Sequence, residues 1–190
     1  HAVYECYHQQ VRAALTADGR RQRYLQERER WQHALHDEDR SDIPYLHAIG
    51  DYDLANQLGN PIRVLSSGVE RKGVAPFFSG QKWRFVDRVA WWDGYDDATP
   101  VLIGHYWRSA QAVERQEPGK GGPSLFEGVA PFAWHGRRRN VFCLDYSVGG
   151  RWRQRQEGRA ADRRFRLAAM RWPERELVFD DGQRVATTDF

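Results

Sequence analysis

The chain has 190 residues, of which 41% are hydrophobic, 13% aromatic and 29% charged, with a formal net charge of +3. That composition excludes a disordered chain, and the length is enough to bury a hydrophobic core. No apolar run reaches the roughly 18–20 residues that span a bilayer, and the chain does not open on a basic stretch followed by an apolar one, so neither a membrane protein nor a secretory leader is expected.

Residues 3–39 are predicted to be helical. Val11, Ala14 and Leu15 fall at helical spacing, and beyond Asp18-Gly19 a charged stretch runs to Asp39 with Tyr24, Leu25, Trp31 and Leu35 as its apolar positions. Ser41-Asp42-Ile43-Pro44 reads as a helix start with proline in the first turn, and this helix is expected to run to Leu58, where Gly59-Asn60-Pro61 stops it. From Pro61 the pattern changes to strands and turns. Strands are expected at 62–65, 83–89, 101–103, 140–146, 165–172, 176–179 and 184–187, with Asp180-Asp181-Gly182 as the turn between the last two. Ser66-Ser67-Gly68 is expected as a loop. So are residues 109–136, whose centre, Pro118-Gly-Lys-Gly-Gly-Pro123, lacks the spacing of a phosphate-binding loop. There is no internal repeat and no interdomain linker.

Cys6 and Cys143 have no Cys-x-x-Cys partner and are expected as reduced, mostly buried thiols. His33 and His36 stand three apart on a helix but lack a third metal ligand. Charge is uneven. Arginine gathers between Arg137 and Arg166, acidic residues gather at Asp93, Asp96 and Asp97, and lysine occurs only at Lys72, Lys82 and Lys120. Arginine is the better residue for bidentate contacts with phosphate or carboxylate.

The most informative segment is Pro100-Val-Leu-Ile-Gly-His105-Tyr-Trp-Arg108. A short apolar run ending in Gly-His predicts a buried strand that delivers one imidazole at its carboxyl end, where open α/β sheets bind ligands. The glycine permits a tight turn and leaves room for a metal. A second apolar strand follows in Asn140-Val-Phe-Cys-Leu-Asp145-Tyr-Ser-Val-Gly-Gly150, with Asp145 expected to cap the turn at its end, and then Arg166-Leu-Ala-Ala-Met-Arg171. This ordered set resembles the carboxyl-terminal part of the calcineurin-like metallophosphoesterases, especially bacterial members related to serine/threonine protein phosphatases. The resemblance covers residues 60–180, most specifically 100–108 and 140–171.

The resemblance implies an α/β (α+β) fold: part of a metallophosphoesterase β-sandwich flanked by helices. Residues 1–58 would form a mostly helical segment and 59–190 mostly strands and loops, together the carboxyl-terminal portion of one domain. It further implies a cytoplasmic hydrolase in which two divalent ions (Mn, Fe or Zn) direct hydroxide at the phosphorus of a phosphorylated substrate. His105 would be one metal ligand, and His1 of His1-Ala2 a second. Trp83-Arg84-Phe-Val-Asp-Arg88-Val-Ala-Trp91-Trp92 resembles a stretch of bacterial phosphoesterases with arginine before a tryptophan pair. Arg84, Arg88 and Arg108 are accordingly the residues expected to hold phosphate oxygens. Tyr106 and Trp107 replace the threonine that commonly follows Gly-His, which implies a bulkier wall.

The family's Asp-x-His, Gly-Asp-x-x-Asp-Arg and Gly-Asn-His-Glu segments are absent. Gly50-Asp51-Tyr52-Asp53 and Gly59-Asn60 imitate two of them and are read as turns. Two neutral imidazoles balance little metal charge, so this chain is expected to coordinate the ions incompletely and to lack substantial phosphatase activity by itself. Two other function classes compete: a non-catalytic phosphatase-like scaffold, and an arginine-rich module for nucleic acid or another polyanion, with Trp152, Phe165 and Trp172 among its arginines. Low net charge and the absence of a nucleic-acid motif weigh against the latter.

Overall fold

A computed structural model describes residues 1–40, 42–111 and 124–190. The glycine-rich centre of the long loop expected at 109–136 lies outside the described residues. Among the described residues the fold is mixed α/β, with five helices and small sheets, and it divides into two compact units. The first is residues 1–89; the second, among the described residues, is 90–111 and 124–190. No helix among the described residues is long and apolar enough to cross a membrane.

In the first unit, α1 (Ala2–Ala17) and α2 (Arg20–Trp31) are separated at Asp18-Gly19. Gly19 takes a left-handed φ of 75°, which glycine adopts without steric cost, and Asp18 fixes the restart by accepting from the Arg20 backbone N–H at 2.9 Å. The expected helix from residue 42 begins later, as α3 (His47–Leu58). Ile43 and Leu46 are instead buried in an extended approach to it. Gly50-Asp51-Tyr52-Asp53, read as a turn, lies inside α3. A Cβ on Gly50 would meet the Tyr45 hydroxyl at 2.9 Å and the Phe85 side chain at 3.3 Å, so the glycine serves close packing rather than a turn.

The strand expected at 62–65 is helical, part of α4 (Pro61–Ser67). Asn60 caps it by accepting from the Ile62 N–H at 3.1 Å, and Pro61 occupies the first helical position, where a missing N–H costs nothing. These end signals outweigh the strand preference of Ile62 and Val64. A strand that the alternation did not reveal, β1 (Glu70–Phe78), pairs antiparallel with β2 (Trp83–Arg88), and the register slips between Lys72 and Phe77. Ala34, Leu35, Ile43, Leu46, Ile49 and Phe85 form the core of this unit.

The second unit opens with a 3-10 turn (Trp91–Gly94) and contains a parallel pair, β3 (Val101–Ile103) and β4 (Val141–Cys143). β3 is not the buried strand expected: Leu102 is exposed and Val101 and Ile103 are half-buried. Next come α5 (Val148–Gln156) and an antiparallel meander of β5 (Ala168–Arg171), β6 (Glu176–Phe179) and β7 (Arg184–Ala186). The turn at Asp180-Asp181-Gly182 is as expected, with Phe179 N–H bonded to the Gln183 carbonyl at 2.9 Å. Helix α5 was hidden by Gly149-Gly150; a Cβ on Gly150 would meet the Phe165 ring at 2.8 Å. Every residue of β4 is buried. Its alternating sides feed two clusters: Val141 and Cys143 join Trp92, Tyr106 and Phe126, while Phe142 joins Trp134, Tyr146, Leu177 and Phe179. Both thiols are free, but Cys6 is exposed, contrary to expectation; Cys143 is buried.

Phe85 is fully buried whereas Leu65 is 83% exposed. Truncating Phe85 to alanine is expected to destabilise the first unit by about 3–5 kcal/mol, while Leu65→Ala should change stability by less than about 0.5 kcal/mol. Urea unfolding followed by circular dichroism checks the contrast; equal effects would contradict this core assignment.

Candidate functional site

Strands β3 and β4 run in register, Val101 beside Val141 and Ile103 beside Cys143, so they end together. The Leu144 N–H donates to the Ile103 carbonyl at 2.8 Å and extends the pairing past the strands. Just beyond, the Asp145 carboxylate takes two backbone donors: the His105 N–H on Oδ2 and the Ser147 N–H on Oδ1, each at 2.9 Å. Its backbone carbonyl accepts the Arg108 N–H at 2.7 Å. One residue at the end of β4 therefore holds the turn after β3 at two points and starts its own turn as well.

That turn is strained. His105 has φ 68° and Trp107 φ 56°, and Ser147 on the facing segment has φ 58°. Non-glycine residues in the left-handed region cost on the order of 1–3 kcal/mol each and persist only where their surroundings over-determine them. Here the anchors are the alternate residues. Tyr106 and Arg108 are buried while His105 and Trp107 are exposed, their rings 6.1 Å apart edge to face. A groove of about 420 Å³ opens at this end of the strands, lined by Gly104, Leu144, Asp145, Tyr146, Arg166 and neighbouring aliphatic residues. Arg166, expected within a strand at the end of the arginine-rich run, lines this groove instead. Its guanidinium stacks 3.6 Å from the Phe179 ring centroid and bonds Gln183 at 2.7 Å and Asp181 at 2.6 Å.

Arg108, expected to hold phosphate oxygens, is turned away from such a role. It is 2% exposed, lies over the Phe142 ring at 4.9 Å and the Phe126 ring at 5.6 Å, and donates through Nη2 to the carbonyls of Ala130 and Ala133. Its Nε and Nη1 have no hydrogen-bond partner among the described residues. Arg108 thus belongs to the scaffold beneath the turn. Arg84 and Arg88 lie on β2 of the first unit, Arg84 donating to the Ser79 carbonyl at 3.2 Å and Arg88 standing opposite Glu70 across the strand pair. His1, also in the first unit, precedes α1; its side chain is 90% exposed, with Nε2 3.8 Å from Glu5. His1 and His105 thus belong to different units. Among the described residues no three His, Cys, Asp or Glu side chains converge as metal ligands.

Burial governs the titratable groups under the site. The Cys143 thiol is pushed up to about 11, and the Tyr146 hydroxyl is also raised, both chiefly by desolvation. His135 packs against Trp92 at 4.7 Å and Phe126 at 5.2 Å, and neither ring nitrogen has a hydrogen-bond partner among the described residues. Desolvation, reinforced by the Arg108 charge, lowers its pKa to about 3.

His135 stays neutral in the fold down to that pH, whereas the unfolded chain takes the proton near the ordinary value of 6.5. Between the two the unfolded state holds more protons, so stability falls as pH falls, by about 1.4 kcal/mol per pH unit well below 6.5. The thermal midpoint is expected to drop between about pH 7 and pH 5, and His135→Phe, which keeps an aromatic ring and removes the proton site, should flatten the dependence. A wild-type slope that His135→Phe leaves unchanged would contradict this assignment. No family model, curated protein or solved structure matches the chain.

Proposed function

We propose that this chain is the carboxyl-terminal portion of a calcineurin-like metallophosphoesterase, and that it presents the imidazole of His105 to a phosphoester hydrolysis site. The observation that carries the reading is the strained Gly-His turn at the end of β3, pinned by the carboxylate that ends β4. Strain concentrated on an exposed histidine beside a groove, at the carboxyl ends of parallel strands, supports a ligand site there. In this proposal Asp145 is a positioning residue, with its backbone contacts setting where the imidazole points, and Tyr106 and Arg108 hold the turn from below. Trp107 stands edge to face with the imidazole, and aliphatic residues line the neighbouring groove. The larger sandwich, the phosphorylated substrate and the cytoplasmic setting belong to the same proposal.

The two divalent ions, Mn, Fe or Zn, do not fit the donors described here on their own. His105 is one imidazole, both oxygens of the nearby Asp145 accept backbone N–H groups, and His1 is in the other unit. Dinuclear centres need several anionic ligands to balance the charge. The ions would therefore require the Asp-x-His, Gly-Asp-x-x-Asp-Arg and Gly-Asn-His-Glu segments. The arginine-rich last third gives the polyanion reading less support than its composition suggested. Arg151 pairs with Asp180, Arg159 with Glu157, Arg164 with Asp162, and Arg171 with Glu174 and Glu176.

The test is hydrolysis of p-nitrophenyl phosphate with added Mn. The 190-residue chain is expected to show no appreciable metal-dependent turnover. A protein from the same reading frame that carries the missing segments upstream should be active, and His105→Ala should lower its metal affinity or activity by about 100-fold or more, with Asp145→Ala costing roughly 10–100-fold. Turnover by the chain alone, or full activity in His105→Ala, would overturn the proposal.

A further inference from the structure

The first unit contains a polar cavity of about 250 Å³, lined by Tyr24, Arg28, His36, Asp53, Lys82 and Trp83 together with two aliphatic side chains. Tyr24 and Arg28 are one helical turn apart on α2, and the Arg28 guanidinium donates to the Tyr24 hydroxyl at 3.4 Å. The wall opposite is braced where the turn after α2 meets the start of β2. The Trp83 backbone N–H donates to the Leu35 carbonyl at 2.9 Å, its indole N–H to the Asp37 carbonyl at 2.8 Å, and His36 Nδ1 bonds the Gln81 carbonyl at 2.9 Å. A carbonyl can only accept, so Nδ1 carries the hydrogen and the neutral ring keeps Nε2 as an acceptor.

Asp53 and Lys82 line the same cavity and carry opposite charges, yet they form no ion pair within 4.0 Å, and neither makes a side-chain hydrogen bond among the described residues. Burial raises the Asp53 carboxyl, which the cations around it only partly offset, while burial and then the Arg84 charge lower the Lys82 ammonium against the opposing pull of Asp53 and Glu70. Opposite charges held apart across a small cavity leave space for a group that touches both. The lining favours an anion: its charged groups are two cations, Arg28 and Lys82, and one carboxylate, Asp53. Arginine and lysine side by side suit a dianion, the guanidinium binding two oxygens at once and the ammonium acting as a point charge. Tyr24 and Trp83 add aromatic surface to the lining. The volume is below the roughly 300 Å³ at which drug-sized ligands begin to fit, so the ligand must be small.

We propose that this cavity binds a small organic phosphate monoester, its phosphate held between Arg28 and Lys82 and an amino or hydroxyl group of its organic part donating to Asp53. The proposal does not rest on the hydrolase reading, because every residue it uses is in the first unit and none is at the β3 turn.

The test is calorimetric titration of the purified chain with phosphoethanolamine and, as a probe without the donor, ethyl phosphate. Saturable binding of phosphoethanolamine is expected, weakened by about tenfold or more in Lys82→Met and in Arg28→Met. Both side chains are at least partly exposed, and unchanged circular dichroism confirms that the variants fold. Phosphoethanolamine should bind more tightly than ethyl phosphate, and Asp53→Asn should remove that preference. His105→Ala should bind like the wild type, as should Arg153→Met, which removes an exposed arginine of α5. No saturable binding overturns the proposal, as does equal weakening by Arg153→Met, which would mark diffuse charge attraction. Loss on His105→Ala with Lys82→Met unaffected also overturns it, placing the phosphate at the β3 turn and leaving the hydrolase reading standing.

Discussion

A three-residue strand with no exposed side chain, Val141-Phe142-Cys143, is the constraint on which the second unit depends. Because strand side chains alternate, β4 must be covered on both faces, and two aromatic clusters do so. Its backbone is occupied on both edges as well: β3 pairs along one, and His135 bridges back to Val141 on the other. A strand fixed on four sides has no freedom to slide, so the residue two positions past its end arrives at a defined point. That residue is Asp145, and its side chain sets the position of the turn after β3.

The functional reading follows from this mechanical arrangement. A left-handed histidine is unfavourable alone, but here its N–H is held by a carboxylate and the residues two positions apart on the same turn, Tyr106 and Arg108, are sunk into the core. The core accepts polar groups to achieve this. Arg108 is met by two carbonyls and two aromatic faces, and His135 remains neutral among aromatic rings. Buried polar groups that are only partly bonded lower stability. Both lie beneath the one turn that presents an exposed imidazole and indole. The first unit differs: its hydrophobic cluster is aliphatic and aromatic, its buried polar side chains include Gln57 and Asn60, and Arg28, Asp53 and Lys82 line a cavity where α2, α3 and β2 meet.

How much of this was legible in the sequence depended on whether the signal was local. The strands at 101–103 and 176–179 and the turn at Asp180-Asp181-Gly182 were readable, because apolar runs and turn residues act over a few positions. Gly-His as a strand-end turn was readable for the same reason, and so was the capping role of Asp145. Strand β1 was not, since Glu70-Arg71-Lys72-Gly73 has no apolar alternation and is held by cross-strand partners such as Arg88 and Asp87. Helix α4 lay behind Ile62-x-Val64, although Asn60-Pro61 carried the correct start signal. The destination of the Arg108 side chain was beyond sequence reasoning. Its carbonyl partners are 22 and 25 residues away and come together only in the folded unit. The cavity in the first unit was hidden similarly, because Arg28, Asp53 and Lys82 come from three separate elements or their edges.

The central claim is that the Asp145 carboxylate fixes the histidine turn from the end of β4. Amide hydrogen exchange tests it most directly. The account predicts that the His105 and Arg108 amides are protected in the wild-type chain, and that Asp145→Ala releases the His105 amide while Arg108, held by the backbone carbonyl, and the β4 amides stay protected. A His105 amide that exchanges as freely as an exposed loop in the wild type, or that keeps its protection in Asp145→Ala, would contradict the account.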